Sequence, residues 1–224
     1  MVKTITFIKR KPGMSVEEFG KYWRNQHAPI VVKLPGLRRY VQCHTIPSGY
    51  YRNGEPAYDG VAEVWFDSTD AMRATAATAE YQAVRADEPN FIDLAKIDFV
   101  ITDERVQKDG AAEPSMAHLV EFVTRKPGMS VEDFQRHWSQ VHGPLGAKIP
   151  MVRRYVQCHV RPAAYRQGRR PRFDGVAEVW FDSTAAMRES ATTPEYRAVR
   201  ADEPNFIDTA HPFPFIITRD FTVL

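Results

Sequence analysis

Alternating apolar and polar positions appear from the start of the chain: "TITFIK" at residues 4–9 has the two-residue period of a half-buried strand, and "KPG" breaks it. Ser15 followed three residues later by Glu18 carries the signature of a capping box. Phe19, Trp23 and His27, four apart, fall on one face of the helix this box would open, and Pro29 marks its other end. "LRRYVQCHT" (37–45) and "GVAEVWF" (60–66) read as two further strands joined by a long loop rich in Gly, Pro and Asn. Helical sequence runs from about residue 70 to 86, and "KIDFVIT" (96–102) reads as a fourth strand. The order β-α-β-β-α-β predicts an α+β, ferredoxin-like unit: an antiparallel four-stranded sheet with its helices on one face.

The whole pattern is then written again. Shifting the chain by 115 residues aligns 10–93 with 125–208 without a gap, with 53 identities in 84 positions. "RKPGMSVE", "RRYVQCH", "DGVAEVWFDST" and "RADEPNFID" each occur twice, and the period is far above the 20–50 residues of solenoid repeats, so each copy is a domain. The expected organisation is a first ferredoxin-like repeat over 1–103, a polar linker over 104–115 and a second repeat over 116–224. Such a sheet leaves one face bare. Its strands carry bulky groups on both sides, so the second copy is the expected cover, giving a pseudo-twofold, barrel-like pair within one chain.

Composition excludes more than it selects. With 43% hydrophobic and 26% charged residues the chain is globular in character, and a formal net charge of +2 with no basic stripe argues against nucleic acid or a membrane surface as partner. No apolar run has spanning length and the first residues do not read as a signal peptide, so a cytoplasmic protein is expected. Cys43 and Cys158 sit at equivalent places in apolar strands and are expected as buried free thiols. There is no G-x-G-x-x-G, P-loop, G-x-S-x-G, Cys-x-x-Cys or His-Glu-x-x-His pattern, so neither a cofactor nor a metal is expected.

"KPGMSVEEFGKYWRNQHAPIVVKLPGLRRYV" followed by "YDGVAEVWFDSTDAM" resembles an EthD domain, a member of the dimeric α/β-barrel superfamily, over nearly the whole of each copy. The resemblance implies a barrel usually built from two chains, here carried covalently as an intramolecular pair. The founding name comes from alkyl-ether degradation alongside a cytochrome P450 system, and fungal relatives resemble polyketide decarboxylases and dehydratases. Other branches of the superfamily bind or degrade haem. His27 and His142 are conceivable axial ligands, but nothing in the sequence marks a haem pocket.

His27 and His142 each end an apolar helix stripe, where the helix C-terminus favours the imidazolium and burial opposes it, bringing the group toward working pH for acid–base chemistry. The alternative is a structural tether to a carbonyl. Arg38, Tyr40, Gln42 and His44 share one strand face by period, as do Arg153, Tyr155, Gln157 and His159; they line a cavity or meet at the seam between the halves, with Arg38 and Gln42 the better seam residues. Tyr40, Tyr155, His44 and His159 are the candidates to hold and protonate a developing enolate or phenolate. Glu63 and Glu178 either pair with Arg38 or Arg39 (or their copies) or orient a histidine, and Trp23, Trp138, Trp65 and Trp180 are core or pocket walls. The second long loop gains Arg161, Arg169, Arg170 and Arg172, a solvated loop or an anion-receiving lip.

Three functions fit: a cofactor-independent acid–base enzyme of decarboxylase, dehydratase or cyclase type acting on a small apolar aromatic or polyketide-like molecule; a non-catalytic accessory protein holding such a molecule for a partner oxygenase; or a scaffold whose pairing, or further self-association, is the purpose. The reaction class rests on the EthD resemblance alone.

Overall fold

The computed structural model describes residues 1–50, 54–211 and 213–224. The chain divides into two compact units, 1–101 with 220–224, and 102–219. In the first, β1 (Val2–Ile8), α1 (Val16–Tyr22), α2 (Ala28–Val31), β2 (Leu37–Thr45), β3 (Gly60–Phe66), α3 (Thr69–Thr75) and α4 (Ala79–Asp87) lead into β4 (Asp98–Lys108). The second repeats them as β5 (Ala117–Val123), α5 (Val131–His137), α6 (Gly143–Ala147), β6 (Val152–Val160), β7 (Gly175–Phe181), α7 (Thr184–Ser190), α8 (Pro194–Asp202) and β8 (Phe215–Thr222). The expected βαββαβ order is thus present twice.

Within the first unit β3 lies between β1 and β2, with Thr6 opposite Ala62 and Tyr40 opposite Val64. Residues 223–224 add to the outer edge of β2: Tyr40 donates its N–H to the Leu224 carbonyl at 3.0 Å and its own carbonyl accepts from Val223 at 2.9 Å. In the second unit β7 lies between β5 and β6, and residues 102–108 of β4 pair with β6 from Thr102 opposite Val160 to Lys108 opposite Tyr155. The stretch expected as a linker from residue 104 is therefore strand as far as Lys108. Main-chain hydrogen bonds alone hold a strand in a ladder, so its polar side chains hid it from a pattern search.

The Ser15 cap is a complete capping box, whereas at Ser130 only the hydroxyl accepts, from the Asp133 N–H. The helix does not stop at Pro29. It widens into a π-helical turn over Trp23–His27, closed by the Ala28 N–H on the Trp23 carbonyl, and continues as α2 with Pro29 in its first turn. Proline lacks an N–H and its ring crowds the carbonyl four residues back; the wider turn relieves both, and Trp138–His142 repeats the device before Pro144. The helix expected over 70–86 is two, α3 and α4, each capped by its own hydroxyl at Ser68 and Thr78.

Helices cover one sheet face. Phe19 and Trp23 project from the first helix onto Tyr40, Ala62 and Phe91 in one apolar core, and Phe134 and Trp138 do the same with Tyr155, Ala177 and Phe206. The duplicated Asp-Gly before β3 and β7 has a steric origin. A Cβ on Gly60 would lie 2.5 Å from the Cys43 carbonyl and 2.7 Å from the Trp23 ring, and one on Gly175 2.3 Å from the Trp138 ring. We expect Gly60→Ala to destabilise the protein by about 1–3 kcal/mol, read as a lower urea midpoint with unchanged slope, because neither a strand carbonyl nor a buried indole can step aside. The neighbouring Asp59, buried, accepts from the Arg10 main chain at 2.9 Å, the Arg10 guanidinium and the Tyr50 hydroxyl at 2.8 Å, and so fixes the entry to β3. Cys43 and Cys158 are buried, and no disulfide joins them. No helix among the described residues is long and apolar enough to cross a membrane.

Candidate functional site

Between the sheet and the helices of the first unit lies a cavity of about 680 Å³. Thr4, Thr6 and Ile8 of β1, Tyr40 of β2 and Ala62, Val64 and Phe66 of β3 form its floor; Trp23, His27, Val31, Met72, Tyr81 and Val84 come from the helical side. Strand alternation explains the choice, since Thr4 and Thr6 face the helices while Lys3 and Ile5 face away.

His27 is 5% exposed and borders this cavity. Its Nδ1 lies 2.8 Å from an Asp87 carboxylate oxygen, and its ring packs 4.7 Å from that of Phe91. Burial pushes the imidazole below its ordinary range, against the pull of Asp87, so the neutral ring prevails at pH 7. Burial also works against charge on Asp87, but hydrogen bonds from Tyr22 at 2.6 Å, Asn90 at 3.0 Å and His27 outweigh it and hold the carboxyl below the usual range. An ionised Asp87 accepting from Nδ1–H fixes the tautomer that leaves the Nε2 lone pair for the cavity. His27 is therefore tethered, but by a carboxylate on the end of α4 and not by a main-chain carbonyl.

Tyr40 is buried, and its hydroxyl oxygen accepts from Trp23 Nε1 and Gln42 Nε2, both at 2.9 Å. With both lone pairs engaged the hydroxyl has only a proton to offer. Burial raises its pKa well above the phenol range, so Tyr40 is a donor and not a base. Gln42 also donates to the Trp23 carbonyl at 2.9 Å, while His44 Nε2 lies 3.1 Å from the Gln42 carbonyl oxygen. That network ties β2 to the π-turn inside one unit, and Gln157 repeats it with Trp138 and Tyr155. Gln42 is thus a core clasp in place of the expected seam contact. Arg38 leaves the shared face altogether: a bulge between Leu37 and Arg39 turns it outward onto Asp67 at 2.9 Å, and Arg153 meets Asp182 likewise.

His44 and His159 do not border the cavity. Each packs on its tryptophan, at 4.3 Å from Trp23 and 4.5 Å from Trp138, and burial drives both pKa values down to about 3. They are neutral core groups, and the proton-donor role expected for them falls. Glu63 and Trp65 point to the sheet face away from the helices, as do Glu178 and Trp180. The partner of Glu63 is Lys3 at 3.2 Å, not Arg38 or Arg39; Lys3 also lies over the Trp65 ring at 4.6 Å. At the corresponding place His118 stacks on Trp180 at 4.0 Å, and Cys158 Sγ lies 3.4 Å from Glu178. None of these four borders the cavity, so only Trp23, of the two tryptophans in its unit, is a wall. Glu104, Cys158 and Glu178 place three ligand-type atoms within 4.8 Å in the second unit, a set that could hold a cation. Of the added arginines, Arg161 pairs with Asp103 at 3.2 Å, and Arg169, Arg170 and Arg172 are exposed.

The second unit rebuilds the histidine differently. His142 Nδ1 lies 3.0 Å from Asp202, but His137, in place of Tyr22, reaches the same carboxylate at 2.9 Å. Asp87 and Asp202 were missed in the sequence, although "RADEPNFID" is one of its duplicated phrases.

Among solved structures the whole chain is similar to an anthrone oxidase-like protein (TM-score 0.67, 11% identity, covering 99% of this chain and 92% of that one). It is also similar to a provisionally named monooxygenase from Lactobacillus acidophilus (0.57, 11%, 100% and 94%) and to a variant chlorite dismutase from Candidatus Nitrospira defluvii (0.53, 8%, 97% and 90%). At these identities the likeness shows the fold alone: α+β, with the βαββαβ order present twice. No curated protein matches the sequence. The EthD domain profile matches residues 11–95 and again 126–210, so the chain belongs to the EthD family as a tandem duplication.

Proposed function

We propose that the chain is a cofactor-independent acid–base enzyme acting on a small apolar aromatic or polyketide-like molecule in the helix-side cavity of the first unit. The observation that carries this reading is the His27–Asp87 pair, which leaves one imidazole nitrogen open to a largely apolar cavity of about 680 Å³. A neutral imidazole is the form that takes a proton from carbon or oxygen, and the Asp87 carboxylate stabilises the imidazolium that results. Tyr40, its hydroxyl able only to donate, can hold the oxygen on which negative charge develops. Thr4 and Thr6 add hydroxyls to an apolar floor, and Trp23 and Phe66 offer aromatic surface to a planar ligand. Decarboxylation, dehydration and cyclisation of such molecules all pass through an enolate or phenolate, so the same groups serve each. The family and fold do not choose among them.

Anthrone is the first probe, because it is an aromatic carbon acid and one whole-chain structural neighbour is described as anthrone oxidase-like. The protein is expected to accelerate deuterium incorporation at the anthrone methylene in deuterated water over buffer and over an unrelated protein. Binding of anthrone without acceleration would overturn the catalytic reading in favour of a ligand carrier; no binding at all would remove both.

A further inference from the structure

The two units differ where the aligned stretch of the repeat does not reach, on their first strands. Thr6 opposite Ala62 in β1 becomes Glu121 opposite Ala177 in β5. Thr6 and Ala62 border the first unit's cavity, and Ala177 belongs to the helix-side core with Trp138 and Tyr155, so register places the Glu121 carboxyl on the helix side of its sheet. It is half-buried there, and among the described residues it has neither a hydrogen bond nor an ion pair. The charges that act on it are those of Glu203 and Arg200, already joined to each other at 2.7 Å, and its own charge acts on Tyr155 and Tyr196. Around it the walls have become less polar: Leu119 stands where the first unit has Thr4, and both Leu119 and Phe213 pack on the core.

We propose that Glu121 is the acid–base group of a second ligand site, absent from the first unit, which takes a small aromatic ketone or phenol through its oxygen. A carboxyl among apolar walls and beside a second carboxylate keeps its proton and donates it. Burial first, then Glu203, against Arg200, bring the group up to about 7, so both of its forms exist at neutral pH. Tyr155 offers a second donor, because its oxygen already accepts from Trp138 at 3.3 Å and Gln157 at 2.9 Å. Thr6 and Tyr40, at the same two positions of the first unit, border one cavity, so the two donors share the helix-side face and suit one ligand oxygen. In its ionised form Glu121 can accept the proton of a phenol or of the carbon next to a carbonyl and return it, with no net loss or gain of atoms. This site does not depend on the role given to His27.

The test is carbon-13 NMR of the protein with labelled glutamate carboxyls, titrated with pH in the absence and presence of 1-naphthol. The Glu121 resonance, assigned by its loss in Glu121→Thr, is expected to titrate near pH 7 and to move its midpoint by at least about half a unit on saturation with 1-naphthol. Thr is the residue the first unit uses at this position, so the variant is expected to fold; it should weaken 1-naphthol binding at the second unit about tenfold. An ordinary carboxyl midpoint, or a resonance that 1-naphthol at saturation leaves in place, would overturn the proposal. Failure of anthrone exchange with a responsive Glu121 resonance would sink the His27 reading and leave this one standing.

Discussion

His27→Gln is expected to slow protein-catalysed deuterium exchange into anthrone by about 10²–10⁴-fold, the range by which positioned general acid–base groups contribute. That corresponds to about 3–5 kcal/mol in the barrier. Glutamine keeps an amide N–H for Asp87 and fills similar volume beside Phe91, but it has no lone pair basic enough to take a proton. Anthrone affinity, followed by quenching of tryptophan fluorescence, is expected to change less than threefold, since Trp23, Tyr40 and the apolar floor are untouched. Exchange that survives the substitution while binding persists would refute the role of His27. Asp87→Asn supplies the graded companion: it removes the charge that fixes the tautomer and stabilises the imidazolium, and is expected to reduce the rate about 10–100-fold with binding unchanged.

The duplication made much of this legible. Because the helix beginning at Ser15 and the strand beginning at Gly60 are each written twice, the core stripe Phe19–Trp23–His27 and the βαββαβ order stood out from the residues alone. What stayed hidden follows a physical pattern. The period-two rule put Arg38 beside Tyr40, but a bulge adds one residue and reverses the side on which Arg38 emerges. A proline read as a helix stop became a π-turn, since tertiary packing of Trp23 and His27 on the sheet holds the chain helical beyond it. The partners of His27 and Glu63 sit 60 residues away in sequence, and no local pattern announces an ion pair of that span. Glu121 escaped for a different reason: β1 and β5 lie before the aligned stretches, and the two copies diverge there.

The double substitution His44→Gln, His159→Gln is expected to flatten the acid limb of the stability profile. Each ring is neutral in the folded protein, with its pKa brought from 6.5 down to about 3, chiefly by burial and further by Arg24 beside His44 and Arg105 beside His159. Unfolding releases the rings to their ordinary value, so below pH 6.5 the unfolded chain binds protons that the folded chain does not. The stability these rings contribute is fully present above pH 6.5 and is lost as pH falls from there toward 3. Between pH 8 and pH 5 the loss is about 2 kcal/mol for each ring, or about 4 kcal/mol for the two, at 1.36 kcal/mol per unit of pKa difference. Gln can place an amide nitrogen near the Nε2 position and keep the bond to Gln42 or Gln157, while having nothing to titrate. The variant loses stability at pH 8 through poorer packing on Trp23 and Trp138, but the difference between its urea unfolding free energies at pH 8 and pH 5 is expected to be about 4 kcal/mol smaller than for the unmodified protein. An identical pH dependence in the two proteins would mean that the rings already carry protons in the folded state, and would return them to the list of groups able to move a proton near neutrality.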